Sequence, residues 1–520
     1  FLQKLLTIMK PSKELFYLIK SLTKSEKRYF KLMSSLQTGD KNYMKLFECI
    51  DELEDYDEEA VKEKLKNEKF IKHLPSEKNH LYKLILKSLR SFYSDNSAAS
   101  VLQENLRNIE LLFNKALYTE CFKNIQRAKG IAYTYEKFYF LLDLIDWEKK
   151  LIEEAFLDNK FKVNMENLIE EEADCLEKLR NIAEYQKLYS KINYIIRKSG
   201  FTRNIEGREE IKKIANHPLI INKGTAHSIK ATTACLSIKG LCAVTDQNLE
   251  GAFSNFSYVV KIMEDNPPIM QELPKRYIRA LNSVMYAHLS KGEWNETFKI
   301  INKMKGLLSK RGFESMDIQL KLFSIPFNAE LNVHIKMDNY MKAIKQVIPK
   351  IIEGLQHFDG KINKEEEMLF YYNISRVYFF TDDLKSALKY INMVLNENKP
   401  GLRDDVYTFA RLVNLIIHFE LNNIDLLEYN IKSTKRFLTV NKRDFKLETV
   451  FLNEMRKLVK AKNEEKQQEQ FITFKENLMK VFEDPYEKIA LDYFDFILWL
   501  DSKITKQSFV KLAMEKSNSK

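Results

Sequence analysis

Six stretches of this chain repeat four positions at the same offsets, and few folds can satisfy such a repeat. With His288, His334, Tyr378 and His418 as reference points, an apolar residue follows six positions later: Trp294, Tyr340, Leu384 and Ile424. A polar pair precedes it each time, Gly-Glu, Asp-Asn, Asp-Asp and Asn-Asn. Three residues on stand Thr297, Ala343, Ala387 and Leu427, and four further on Ile301, Val347, Ile391 and Ile431. The same offsets from Ala243 give Leu249, Ala252 and Phe256, and from Leu112 they give Tyr118, Cys121 and Ile125. From Ala243 onward the reference points lie 45, 46, 44 and 40 residues apart, a period that marks stacked helical hairpins. Extended backwards, the period predicts fainter pairs near Ala155 and Ser199.

Each unit reads as helix A, a two-residue polar turn and helix B. The apolar residue after the turn and the small residue three on let helix B lie close against helix A. One hairpin cannot bury its apolar face alone, so neighbours must stack. Punctuation agrees with this. The chain has 13 Gly and 10 Pro in 520 residues, about 4% together against roughly 12% in an average protein. Sandwiches, barrels and doubly wound sheets need many more turn residues.

The stretch MLFYYNISRVYFFTDDLKSALKYINMVLNENKP, residues 368–400, resembles the tetratricopeptide repeat. Tyr371, Ile374, Ser375, Tyr378, Ala387, Ile391 and Pro400 stand at its large, apolar, small, aromatic, alanine, bulky and proline positions. LCAVTDQNLEGAF after Gly240 is a second match. Met285 and Leu331 replace the usual small residue elsewhere and Arg411 the usual aromatic, and the period exceeds the family's roughly 34. The phrases LTKSEKRYFKL and YFDFILWLDSKI are similar to phrases near the two ends of bacterial helical-repeat proteins, a resemblance that implies no activity. The expectation is an all-α chain, an α-solenoid of stacked antiparallel hairpins with a period of about 44. It comprises an N-terminal helical unit at 1–99, tetratricopeptide-like repeats at 100–440, closing helices at 441–504 and a polar tail at 505–520. The resemblance implies a concave groove lined by helix A, with Arg279, Asn282, Asn328, Asn332, Asn373 and Arg376 at groove positions. Asn can bond an extended peptide backbone through donor and acceptor, and Arg can fork onto a carboxylate. A non-enzymatic scaffold or adaptor for a peptide or helix of a protein partner is the first functional expectation. A polar, unoccupied surface is the plain alternative.

The first hundred residues carry the second. Thr23 and Glu26 form a capping box, with Tyr29, Phe30, Leu32 and Met33 behind it, and further helices are expected at 43–53, 57–67 and 76–93, with a joint at 94–100. Residues 1–45 hold ten basic and three acidic groups, whereas 46–68 hold three basic and ten acidic. Either the two runs screen each other, or Lys24, Lys27, Arg28 and Lys31 beside Tyr29 and Phe30 bind RNA or the ribosome. The overall charge of +11 is thin for a dedicated nucleic-acid binder, and Lys outnumbers Arg 67 to 17, which reads first as solvated helix surface.

No enzyme is expected. GxGxxG, GxxxxGK[ST], HExxH and GxSxG are all missing from the sequence, and no cofactor or metal is implied. An active site assembled across repeats from Cys, His and carboxylates is the residual alternative. His288, His334 and His418 share one repeat position and read as half-buried planar groups at the turn. The acidic run Glu170, Glu171, Glu172 and Asp174 reads as a solvated face, with Leu168 and Leu176 towards the core. Cys49, Cys121, Cys175, Cys235 and Cys242 are odd in number and lack a CxxC pair, which fits a reducing, cytoplasmic setting. No apolar run is long enough to span a membrane, and Met9, just before Pro11, is read as the natural start. Pro349 should kink or end its helix. Asp484 should cap, and Pro485 open, one helix holding Leu491, Tyr493, Phe494, Phe496, Ile497, Leu498, Trp499 and Leu500. That helix is either a buried closing element or in part an anchor for a partner.

Overall fold

The computed structural model describes residues 13–35, 42–154, 164–199, 205–358, 360–397, 403–461, 463–508 and 511–512. Met9, Pro11, Ala155, Pro400 and the tail beyond 512 lie outside them. The chain forms two compact units, Phe1–Tyr133 with Tyr139–Leu168, and Thr134–Phe138 with Ile169–Lys520. Among the described residues every regular element is a helix and none is a strand.

In the first unit α1 is Glu14–Ser21, α2 Lys24–Ser35, α3 Asn42–Glu52, α4 Glu58–Lys64, α5 Leu74–Phe92, α6 Ala98–Asn114 and α7 Tyr118–Thr134. The capping box is realised: Thr23 N–H donates to Glu26 Oε2 at 2.6 Å and Glu26 N–H to Thr23 Oγ1 at 3.3 Å. Tyr93 donates to the other Glu26 oxygen at 2.6 Å. Burial would raise that carboxyl's pKa, and these donors hold it below the usual range. The core gathers Leu15, Ile19, Phe30, Phe47, Leu81 and Ile85 from α1, α2, α3 and α5. The joint is shorter than expected, because Ser97 caps α6 through the Ser100 N–H at 3.0 Å.

Nearly all of α8, Phe138–Glu154, also belongs to the first unit. Next come α9 at Met165–Ser199, α10 Ile205–Ala215, α11 Ile229–Thr245, α12 Leu249–Asp265, α13 Pro274–Lys291, α14 Trp294–Lys305 and α15 Met316–Lys336. Then α16 is Ile348–His357, α17 Lys364–Phe380, α18 Leu384–Asn396, α19 Asp404–Glu420, α20 Ile424–Val440, α21 Lys446–Val459, α22 Glu464–Val481 and α23 Phe496–Thr505. At the place of the expected pair near Ser199, α9, a single helix of 35 residues, ends at that residue and α10 begins at Ile205, six positions on, while residues 200–204 between them lie outside the described ones. Leu176 does not face the core; it is half exposed. Cys175 is buried there instead, its thiol 3.3 Å from the Phe138 carbonyl.

The repeated positions do one job six times. Four residues after each reference point the backbone turns left-handed, at Ala116, Gln247, Gly292, Asp338, Asp382 and Asn422, with φ between 56° and 74°. The next N–H then bonds back to the reference carbonyl: Leu117 to Leu112, Asn248 to Ala243, Glu293 to His288, Asn339 to His334, Asp383 to Tyr378 and Asn423 to His418, at 2.8–3.1 Å. This closing bond satisfies a carbonyl that a helix end otherwise strands. Ala252, Thr297, Ala343, Ala387 and Leu427 are buried, as are Phe256, Ile301, Val347, Ile391 and Ile431 four residues later. Helices pack within each pair, α11 on α12, α13 on α14, α17 on α18 and α19 on α20. Consecutive pairs also touch, through α12 and α13, α14 and α15, and α18 and α19.

Two prolines act differently. Pro349 is accommodated by a π turn at Ala343–Val347 that runs from Tyr340–Lys342 into α16, because proline cannot donate the bond the preceding turn needs. Pro326 lies inside α15 without ending it. The carboxyl-terminal helix is not the single one expected. Asp484 does cap a short helix at Pro485–Lys488, accepting from Tyr486 N–H at 2.9 Å. A 3-10 turn at Ile489–Asp492 follows, and Asp495 caps α23 afresh, accepting from Leu498 N–H at 2.9 Å. At the break Tyr493 packs on Phe409 and Phe494 on Phe379 and Phe380. Among the described residues no helix is long and apolar enough to cross a membrane.

Candidate functional site

The six groove positions fall on α13, α15 and α17 and differ in exposure. Asn328, Asn373 and Arg376 are buried, and they bond to one another rather than facing solvent. Asn373 Nδ2 donates to Asn328 Oδ1 at 3.1 Å, and Arg376 Nη1 donates to Asn332 Oδ1 at 3.1 Å and Asn373 Oδ1 at 3.2 Å. This row joins α15 to α17 by side-chain bonds of the strongly held, buried kind. Asn282 is half-buried, and its Oδ1 has no partner among the described residues. Arg279 is exposed; its Nη1 donates to the Tyr189 hydroxyl at 3.0 Å.

What covers the buried row is the segment before and within α23. The Tyr372 hydroxyl donates to the Tyr493 carbonyl at 3.0 Å, and the Tyr493 hydroxyl to Asp405 Oδ2 at 2.6 Å. Tyr493 stacks on Phe409 with centroids 4.2 Å apart, and Phe494 stacks on Phe380 at 5.7 Å. Trp499 Nε1 donates to Glu420 Oε1 at 2.7 Å, and Lys503 pairs with the same carboxylate. Phe494, Phe496, Trp499 and Leu500 are fully buried, so the closing reading of this segment describes its place in the fold.

The polar centre under it is held by Arg403 and Asp405, two residues apart, in a two-bond fork at 2.9 and 2.8 Å. Burial would raise the Asp405 pKa, but the Arg403 guanidinium and the Tyr493 hydroxyl hold it at about 2. Burial and the Asp405 charge push the Tyr493 phenol far above its usual range. Burial depresses the Arg376 guanidinium, which Tyr372, Tyr340, Asp492 and Asp495 oppose. Sequence reasoning missed Arg403 and Asp405; an Arg-x-Asp spacing at a helix start was the one available signal.

The histidines prove to be packing groups. His334 and His418 are buried more deeply than the half-buried place expected of them. His288 sits edge-on to Phe253 at 5.1 Å and His334 tilts against Phe298 at 5.9 Å, each ring meeting the helix B before it. Among the described residues no group of three His, Cys, Asp or Glu side chains is placed to hold a metal ion.

In the first unit, Lys27 pairs with Asp51 at 2.5 Å and Lys31 with Glu48 at 3.5 Å. Lys24 and Arg28 are exposed. Phe30 is buried, and Tyr29 packs edge-on to Phe92 at 5.2 Å with its hydroxyl 2.9 Å from Ser91 Oγ. The basic run and the acidic run after it therefore meet side chain to side chain. A scan against protein-family models and searches of curated proteins and of solved structures returned no match.

Proposed function

We propose that this chain is a non-enzymatic, cytoplasmic scaffold or adaptor, built as a tetratricopeptide-like superhelix of stacked hairpins with a period of about 44. It binds a protein partner, a peptide or helix, on the surface formed by successive A helices. The observation that carries this reading is the helix-closing turn recurring at one offset in six segments, which presents each helix A in the same way. Over α15 and α17 that surface is taken by the segment around Tyr493, so the open part lies on α13, where Arg279 is exposed and Tyr286 is partly exposed, its hydroxyl reaching Asn332 at the edge of the covered row. The cytoplasmic location rests on five free, buried cysteines; burial pushes up the thiol of Cys49, and those of Cys121 and Cys175 to about 11 and of Cys242 to about 12. Inert, buried thiols suit a reducing compartment. The RNA alternative has less support, because Lys27 and Lys31 are paired and neither Tyr29 nor Phe30 offers an open ring for base stacking.

The test is affinity purification of the full chain from its native host with Arg279→Glu and Tyr286→Ala combined. Loss of a protein recovered with the unsubstituted chain supports the reading, and unchanged recovery overturns the α13 surface.

A further inference from the structure

An elongated trough of about 620 Å³ runs between α21 and α22, and the repeat pattern does not account for it. Its long wall is one face of α21, where Lys446, Val450, Asn453, Lys457 and Lys460 recur at helical spacing. From the first to the last is fourteen residues, or about 21 Å of helix. Arg456, and Lys480 from α22, add two more cations.

Two acidic groups line it and both are engaged. Glu454 is buried and accepts from Lys457 at 2.8 Å, from Gln470 at 2.5 Å and from Asn477 at 3.3 Å. Asp484 is occupied as the cap of the short helix after α22. Among the described residues Lys446, Arg456, Lys460 and Lys480 have no acidic group within ion-pair distance. Elsewhere in the chain lysines are commonly paired, as Lys27, Lys45, Lys62 and Lys64 are in the first unit. The floor is apolar, from Val450 and Val481, with the amides of Asn453 and Asn477 beside it.

We infer that this trough is a docking site for an acidic peptide segment of a protein partner. Four unpaired cations spread over the trough, Lys446 and Arg456 on α21, Lys460 just past its end and Lys480 on α22, match an extended anion rather than a lone phosphate. Val450 and Val481 suit apolar side chains between the carboxylates, and the two amides suit a peptide backbone. No aromatic side chain lines the trough, so it lacks the stacking platform that single-stranded nucleic acid uses. The inference deepens the scaffold reading and rests on it, but occupies a different surface from Arg279.

The experiment is fluorescence anisotropy of the full chain with a labelled fifteen-residue peptide repeating Glu-Glu-Leu, beside a Gln-Gln-Leu peptide and a twenty-residue oligothymidylate. Expected is binding of the Glu peptide alone that weakens as salt rises, with affinity at least tenfold lower in Lys446→Glu/Lys460→Glu/Lys480→Glu. The pair Lys24→Glu/Arg28→Glu controls for general basicity and should bind as the unsubstituted chain does. The three substituted lysines are exposed, so the thermal midpoint should hold; Lys460→Gln/Lys480→Gln gives the same direction with a milder change. Equal binding by the charge-reversed chain, equal binding of the Gln peptide, or tighter binding of the oligonucleotide each overturns the inference. If the trough fails while partner recovery still depends on Arg279, the scaffold reading stands without it.

Discussion

Left-handed residues explain how a chain so poor in glycine turns so often. Of the six turn positions only Gly292 is glycine; Asp338, Asp382 and Asn422 use side chains that tolerate that conformation, while Ala116 and Gln247 bear its strain. Ala116→Gly or Gln247→Gly should therefore stabilise by about 0.5–1 kcal/mol, and Gly292→Ala should destabilise by a similar amount, measured by urea unfolding. Gly240 is different, because a Cβ there would lie 2.7 Å from the Phe256 ring. Gly240→Ala should cost about 1–3 kcal/mol by overpacking, and a neutral result would show that α11 and α12 can separate. The polar turn pairs were legible in the sequence. The left-handed backbone was not, since Asp, Asn, Gln and Ala adopt it only when the helix-closing bond holds them there.

At the element scale the buried imidazoles set a pH dependence. Burial lowers the pKa of His334 and His418 below the ordinary 6.5, so the folded chain takes up their protons less readily than the unfolded one. Stability is then unaffected above that value and falls as pH drops through it. The thermal midpoint should decline from pH 7.5 to pH 5.5, and His334→Phe/His418→Phe should flatten that decline; an equally steep decline in the variant would assign it to other groups. Asp405 acts in a separate window. Its depressed pKa contributes stability above the ordinary carboxylate value of 3.8, lost as pH falls from there towards about 2. The shared position of the histidines was readable from spacing, but their depth was not, because burial depends on how closely the neighbouring helices cover each ring, which leaves His288 half-buried and buries His334 and His418.

For the second unit as a whole, the carboxyl-terminal segment is part of the core. Trp499 is fully buried among Phe419, Phe471 and Phe474, and Trp499→Ala should cost about 3–5 kcal/mol. Removing residues 484–520 should uncover Phe380, Phe409 and Phe451, lower the thermal midpoint and raise binding of a hydrophobic dye; a truncated chain as stable as the full one would show that this segment merely rests on the A helices. By itself the sequence determined the all-helical class, the capping box and the polar pairs at the turns. These follow from interactions within one or two turns of helix, where spacing and geometry are one thing. Only the tertiary structure decided that Asn328, Asn373 and Arg376 are buried together, that Arg403, Asp405 and Tyr493 meet, and that the final aromatic stretch breaks in two. Those outcomes depend on residues tens to more than a hundred positions apart competing for the same surface, and no local pattern records which of them covers it.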